Sequence, residues 1–137
     1  SPVLVGQGID TPGTLASHSG TTGDDSSCGS LDTLDHWSDY VAQCTGTATA
    51  TTCLPATEFD TVLAVYDGCT GTVDEIACND DTVASECLLS GSNRKSAASF
   101  PVIEGEIYQI RISAYQDAFP SLDAREFDLR VECSPTP

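Results

Sequence analysis

The chain has no methionine, a single lysine (Lys95) and two histidines, His18 and His36, and it contains no Cys-x-x-Cys pair. With so few imidazoles and no close thiol pair, a zinc centre has no ligand set to draw on. Basic residues are scarce as well: five stand against twenty-one acidic ones, a net charge of −16. Phosphate binding needs a basic patch, so nucleic acid is excluded as a partner. Anionic membrane surfaces are excluded on the same ground. No apolar run approaches the ~20 residues of a membrane helix. Helical patterning is missing too: no stretch keeps apolar residues at helical spacing over several turns, and Thr, Ser and Gly recur throughout.

Catalytic patterns are equally thin. His18 lies in Ser17-His18-Ser19-Gly20, a loop composition, and no GxSxG motif occurs. Carboxylates are abundant, but an acid–base pair needs one raised pKa in a cleft. Those here fall in polar loops, where solvated side chains are the plainer reading. Glycine motifs that cradle phosphate are absent. The chain reads as non-enzymatic.

What is present is cysteine, acid and strand pattern. A chain of 137 residues suits one domain. Its seven cysteines, at positions 28, 44, 53, 69, 78, 87 and 133, place it in an oxidising, extracellular compartment and help stabilise a core lean in apolar residues. Three bridges with one odd thiol are expected. Many pairings are open. Cys69 and Cys78 flank a hairpin turn, Cys53 is placed to meet Cys87, and Cys44 to reach Cys133. Cys28, in a loop, is the candidate for the odd thiol or an inter-chain bond. The start at Ser1-Pro2, with no leader-like run, reads as a mature, processed form.

Strand signals recur along the chain. They are residues 3–5, 36–43, 47–53 (TATATTC), 61–66, 73–78, 97–103, 106–115 and 126–133. Residues 61–66 are nearly all apolar, as in a strand buried on both faces, and pair with 73–78 across a turn near Thr70-Gly71. Pro101 moves its strand to a sheet edge. Phe127, Leu129 and Val131 alternate with Asp128, Arg130 and Glu132. About eight strands at these spacings predict an all-β, jelly-roll-like antiparallel sandwich braced by disulfides. One domain is expected overall: an N-terminal strand and polar loop over 1–34, a sandwich core over 35–133, and a frayed tail over 134–137. Residues 17–34 and 82–96 read as surface loops.

Residues 59–81, FDTVLAVYDGCTGTVDEIACNDD, followed by an apolar strand and GEIYQIRISAY, resemble the bacterial pre-peptidase C-terminal domain and its relatives. The resemblance runs from about residue 35 to 133. Its anchors are Asp35 with Trp37, Cys44-Thr45-Gly46, Phe59-Asp60-Thr61, Asn79-Asp80-Asp81, and Tyr108 with Arg111. It implies a secreted, bacterial-type β-sandwich of jelly-roll kind, appended to extracellular peptidases and other exported proteins. The chain departs from it in the polar 36–40 strand, the long 82–99 segment and the first 34 residues. Calcium ligands of the collagen-binding relatives do not map onto these positions.

The candidate sites follow. Asp60, Asn79, Asp80 and Asp81 gather oxygens where two strands end, suited to Ca2+, which takes 6–8 oxygen ligands. The structural alternative is that they form turns capping the strands. Asp24, Asp25, Asp32, Asp35 and Asp39 form a second acidic group. Trp37, Tyr40, Tyr66, Tyr108 and Tyr115 could line a sugar-binding face or alternate into the core. Tyr115 and Phe119 are the candidates for exposed stacking. Val3, Leu4 and Val5 form an apolar strand detached from the core, able to add to a neighbour's sheet edge. These features point to an extracellular structural or adhesive subunit that binds its own copies. The alternative is a module that binds polysaccharide or matrix protein for a secreted hydrolase.

Overall fold

Alternation of apolar and polar residues builds most of the strands. The computed structural model describes residues 3–5, 8, 11–14, 35–55, 57, 59–67, 75–79, 95–114 and 126–136. These residues form nine strands: β1 (Val3–Val5), β2 (Thr11–Thr14), β3 (Asp35–Val41), β4 (Gly46–Thr51), β5 (Thr61–Asp67), β6 (Glu75–Asn79), β7 (Ala97–Val102), β8 (Ile107–Ala114) and β9 (Glu126–Pro135). No helix occurs among them.

The sheets run in the orders β1-β3-β8-β5-β6 and β2-β9-β4-β7. Without β1, which pairs with β3 in parallel, two four-stranded antiparallel sheets remain. From β2 to β9 each successive strand changes sheet, except at the β5–β6 hairpin. That weave is a jelly roll, and it matches the fold class expected from the strand pattern.

The core lies between the sheets. Ala48 and Ala50 of β4, Ala98, Phe100 and Val102 of β7, and Phe127, Leu129 and Val131 of β9 face Tyr40, Leu63, Val65, Tyr108, Ile110 and Ile112. In β4, β7 and β9 the intervening residues are exposed or half-buried, as a sheet with one solvated face requires. β5 and β8 differ. Val62, Ala64 and Tyr66 are buried on the far face of β5, and Gln109, Arg111 and Ser113 on the far face of β8. The apolar run 61–66 announced this for β5. On β8 these far-face residues are polar, and they are buried all the same.

β2 has no counterpart among the expected strands. Thr-Pro-Gly-Thr has poor strand propensity, yet it pairs with residues 126–129 of β9. Gly13 permits this, because a Cβ there would come 2.5 Å from the Phe127 ring. The sandwich therefore draws one strand from the segment before residue 35. At the other end β9 runs on through Pro135, and the Thr136 N–H donates to the Thr45 carbonyl at 3.1 Å, so the tail is tied down past residue 133. Pro101 lies on β7, at a sheet edge as expected.

Covalent and polar ties close the ends. Cys44 and Cys133 form the expected disulfide, with Cα atoms 6.1 Å apart. A buried hydroxyl seam joins the residues after β4, the start of β5 and the approach to β7. Thr61 Oγ1 donates to Ser96 Oγ at 2.9 Å, and Ser96 Oγ donates to the Thr61 carbonyl. Thr52 Oγ1 and Thr61 Oγ1 share a hydrogen bond of 2.7 Å, and Thr52 Oγ1 donates to the Ser96 carbonyl at 3.2 Å. Ser96 N–H returns to Thr52 Oγ1 at 3.0 Å. Beside the seam, the buried ammonium of Lys95 donates to the Leu54 carbonyl at 2.6 Å. Burial pushes its pKa down.

Candidate functional site

The detached N-terminal strand docks on its own chain. Val3, Leu4 and Val5 pair with Ser38, Asp39 and Tyr40 of β3. Three residues further on, Gly8 has φ +65°, a left-handed conformation that glycine adopts without strain. Its N–H donates to the Val131 carbonyl of β9 at 2.8 Å, so the chain is fastened again once it leaves β1.

Both edges of the four-stranded sheet carry an exposed proline, Pro12 on β2 and Pro101 on β7. Proline offers no backbone N–H, which makes an edge a poor template for a further strand. The five-stranded sheet ends in β1 on one side and β6 on the other, and neither carries a proline.

The outward face of the four-stranded sheet holds a groove. Register sets Thr49 of β4 between Ser99 of β7 and Glu132 of β9, and Thr51 beside Arg130. Thr49, Thr51, Arg130, Glu132 and Ser134 enclose a hollow of about 270 Å³. Arg130 and Glu132 approach to 3.8 Å, and the Thr49 and Ser99 hydroxyls share a hydrogen bond of 2.9 Å. Small hydroxyls form the floor and a charged pair one wall, a lining that offers hydrogen bonds to a polar ligand. The alternation TATATT carries this signal in the sequence, because every second residue is a threonine on one face.

For the cation candidates, β5–β6 pairing sets Leu63 opposite Asn79, so Asp60 and Asn79 lie at the same end of the sheet. The side-chain carbonyl of Asn79 accepts the Ala97 N–H at 3.2 Å and so caps the start of β7. That is a capping role of the kind weighed as the structural alternative, reached across the sandwich rather than within one turn. Asp60 is half-buried. Asp80 and Asp81 lie outside the described residues. Among the described residues no three His, Cys, Asp or Glu side chains converge on a point that could hold a metal ion. In the second acidic group, Asp39 is half-buried and paired in register with Gln109. Asp24, Asp25 and Asp32 lie outside the described residues.

Cys53 and Cys78 are also disulfide-bonded. The pairings Cys53–Cys87 and Cys69–Cys78 involve positions outside the described residues, as does Cys28. Of the aromatic candidates, Tyr40, Tyr66 and Tyr108 are buried. Trp37 is half-buried, its ring 5.2 Å from that of Tyr66. They serve packing, while Tyr115 and Phe119 lie outside the described residues. His36 is buried with its ring edge-on to Phe127 at 5.3 Å, the setting of a packed histidine. The burial of Lys95 and Arg111 gave no signal in the sequence, because nothing local distinguishes a buried basic residue from an exposed one.

No family model, curated protein or solved structure matches this chain.

Proposed function

We propose that this chain is a non-catalytic, secreted structural or adhesive subunit, of the pre-peptidase C-terminal kind, that associates with its own copies. One observation carries the reading. β2–β9 complete a jelly roll by themselves, and β1 is an addition to it that occupies three positions on a strand of seven residues. An accessory strand at a sheet edge is the element that subunits use to join. The Cys44–Cys133 bond suits an oxidising exterior. An odd number of cysteines leaves at least one outside any intrachain pairing. Calcium belongs to the proposal at the end of the sandwich that bears Asp60 and Asn79, where carboxylates could bridge copies that otherwise repel.

Sedimentation velocity and negative-stain microscopy test it, run with and without chelator and reductant. Multimers that dissociate on chelation or reduction support it. A monomer under every condition sinks it.

A second reading, a module that binds polysaccharide, is favoured by the hydroxyl-floored groove over Thr49 and Thr51. At about 270 Å³ it falls just below the usual range of ligand sites, about 300–1,000 Å³, and suits a short neutral segment. A glycan array in which Thr49→Val abolishes the signal would move the assignment to this reading.

A further inference from the structure

Parallel pairing is the less stable kind per residue, and β1 has only three residues of it. β3 offers seven positions along that edge, and the register of β1 covers only Ser38, Asp39 and Tyr40. The sheet edges elsewhere are unequal: Pro12 and Pro101 guard both sides of the four-stranded sheet. Strand addition is thereby steered towards the five-stranded sheet.

We infer that β1 is exchanged between copies, Val3–Val5 of one chain pairing with β3 of a second in the register it uses within its own. This rests on the self-association reading and names its contact. The exchanged interface needs no new chemistry, since every pairing it uses exists within one chain, which is what makes such swaps cheap. The moving segment ends before Gly8, whose N–H is held by Val131. Extended, residues 3–7 reach about 17 Å, enough to cross to a copy lying alongside.

Two properties follow. Each chain gives one strand and receives one, so the product is a reciprocal dimer or an open chain of subunits. The intrachain strand competes at an effective concentration on the order of millimolar. Exchange is therefore silent in dilute solution and takes over where copies are crowded. With a net charge of −16 per chain, salt screens the repulsion between copies and favours exchange.

The test uses three proteins and one peptide. The full chain, the chain lacking residues 1–7 and the full chain carrying Leu4→Pro are compared by sedimentation velocity up to the millimolar range, at low and at physiological salt. A peptide of residues 1–7 is titrated into the shortened chain. Near-UV circular dichroism checks that each variant keeps its packing. The expected result is assembly of the full chain that grows with concentration and salt, and a tenfold or greater weakening in both variants. The peptide binds the shortened chain, and its Leu4→Pro form binds at least tenfold more weakly. If both variants assemble like the full chain, strand exchange is overturned while self-association stands. If the peptide does not bind, exchange is overturned again. If the full chain stays monomeric throughout, both readings fall together.

Discussion

Replacing Cys44 and Cys133 together by alanine removes one cross-link and leaves no new thiol. The bond spans 89 residues, for which the chain-entropy relation gives about 4.6 kcal/mol. That is an upper figure, because Cys53 and Cys78 are also bonded and already restrict the unfolded chain. A loss of roughly 3–4.5 kcal/mol is expected. Over 137 residues, at about 2.1 cal/mol/K of unfolding entropy per residue, it lowers Tm by roughly 10–15 °C. Urea unfolding followed by tryptophan fluorescence is the assay, with Trp37 as the only indole. The slope carries the mechanism. A cross-link acts on the unfolded state, so its removal lets that state expand and the m-value must rise. A loss under about 1 kcal/mol with an unchanged slope refutes the reasoning, since β4–β9 pairing alone would then hold the two segments together.

Other expectations rest on single positions. A Cβ at Gly46 would lie 2.7 Å from Thr136 N and 2.9 Å from the Pro135 Cα, so Gly46→Ala should cost about 1–3 kcal/mol in thermal unfolding. Thr61→Val keeps shape but removes the hydroxyl linking Thr52 and Ser96, and should cost about 1–3 kcal/mol by chemical denaturation. Lys95→Met should stabilise the fold at neutral pH. The folded pKa of Lys95 lies below its unfolded value, so its penalty is full below the folded pKa. The gap between variant and parent should close as pH rises towards about 10.4, as read by Tm against pH. Tyr40 behaves oppositely. Burial raises its pKa, so the stability it contributes is present below about 10 and lost as pH climbs through the folded value. Tyr40→Phe should retain more stability at high pH than the parent, with tyrosinate absorbance marking the parent's transition.

Much of the fold was legible because it rests on period-two alternation, which is local. Residues 97–102, 107–114 and 126–132 each show it, and each forms a strand. Pro101 correctly marked an edge because proline's missing N–H is a property of one residue. β2 was not legible, since Thr-Pro-Gly-Thr is a strand only because Gly13 fits over Phe127, far along the chain. Arg111 and Gln109 alternate as solvent-facing residues do, and only tertiary covering of that sheet face buries them. The Thr52–Thr61–Ser96 seam was hidden for a related reason: hydroxyl residues at strand ends look like turn formers, and what sets these apart is their meeting across sequence. For the candidate site, Val3–Val5 was readable as an apolar strand, but it is not detached, and its docking on β3 was not readable. Asn79 was picked out by the oxygens around it, and its cap on Ala97 becomes visible only once the sheets face each other.

The jelly-roll weave also sets an order in time. Among the described strands, β5 and β6 are the only neighbours in sequence that pair with each other, so a chain emerging N-terminus first forms that hairpin ahead of the long-range pairings. β4 must wait for β7 on one side and for β9 on the other. Non-local pairing of this kind is slow, and a strand kept waiting is a hazard for sticking to other chains. β4 is suited to the wait. Gly-Thr-Ala-Thr-Ala-Thr carries no side chain larger than threonine, so while it waits the strand offers little for another molecule to hold.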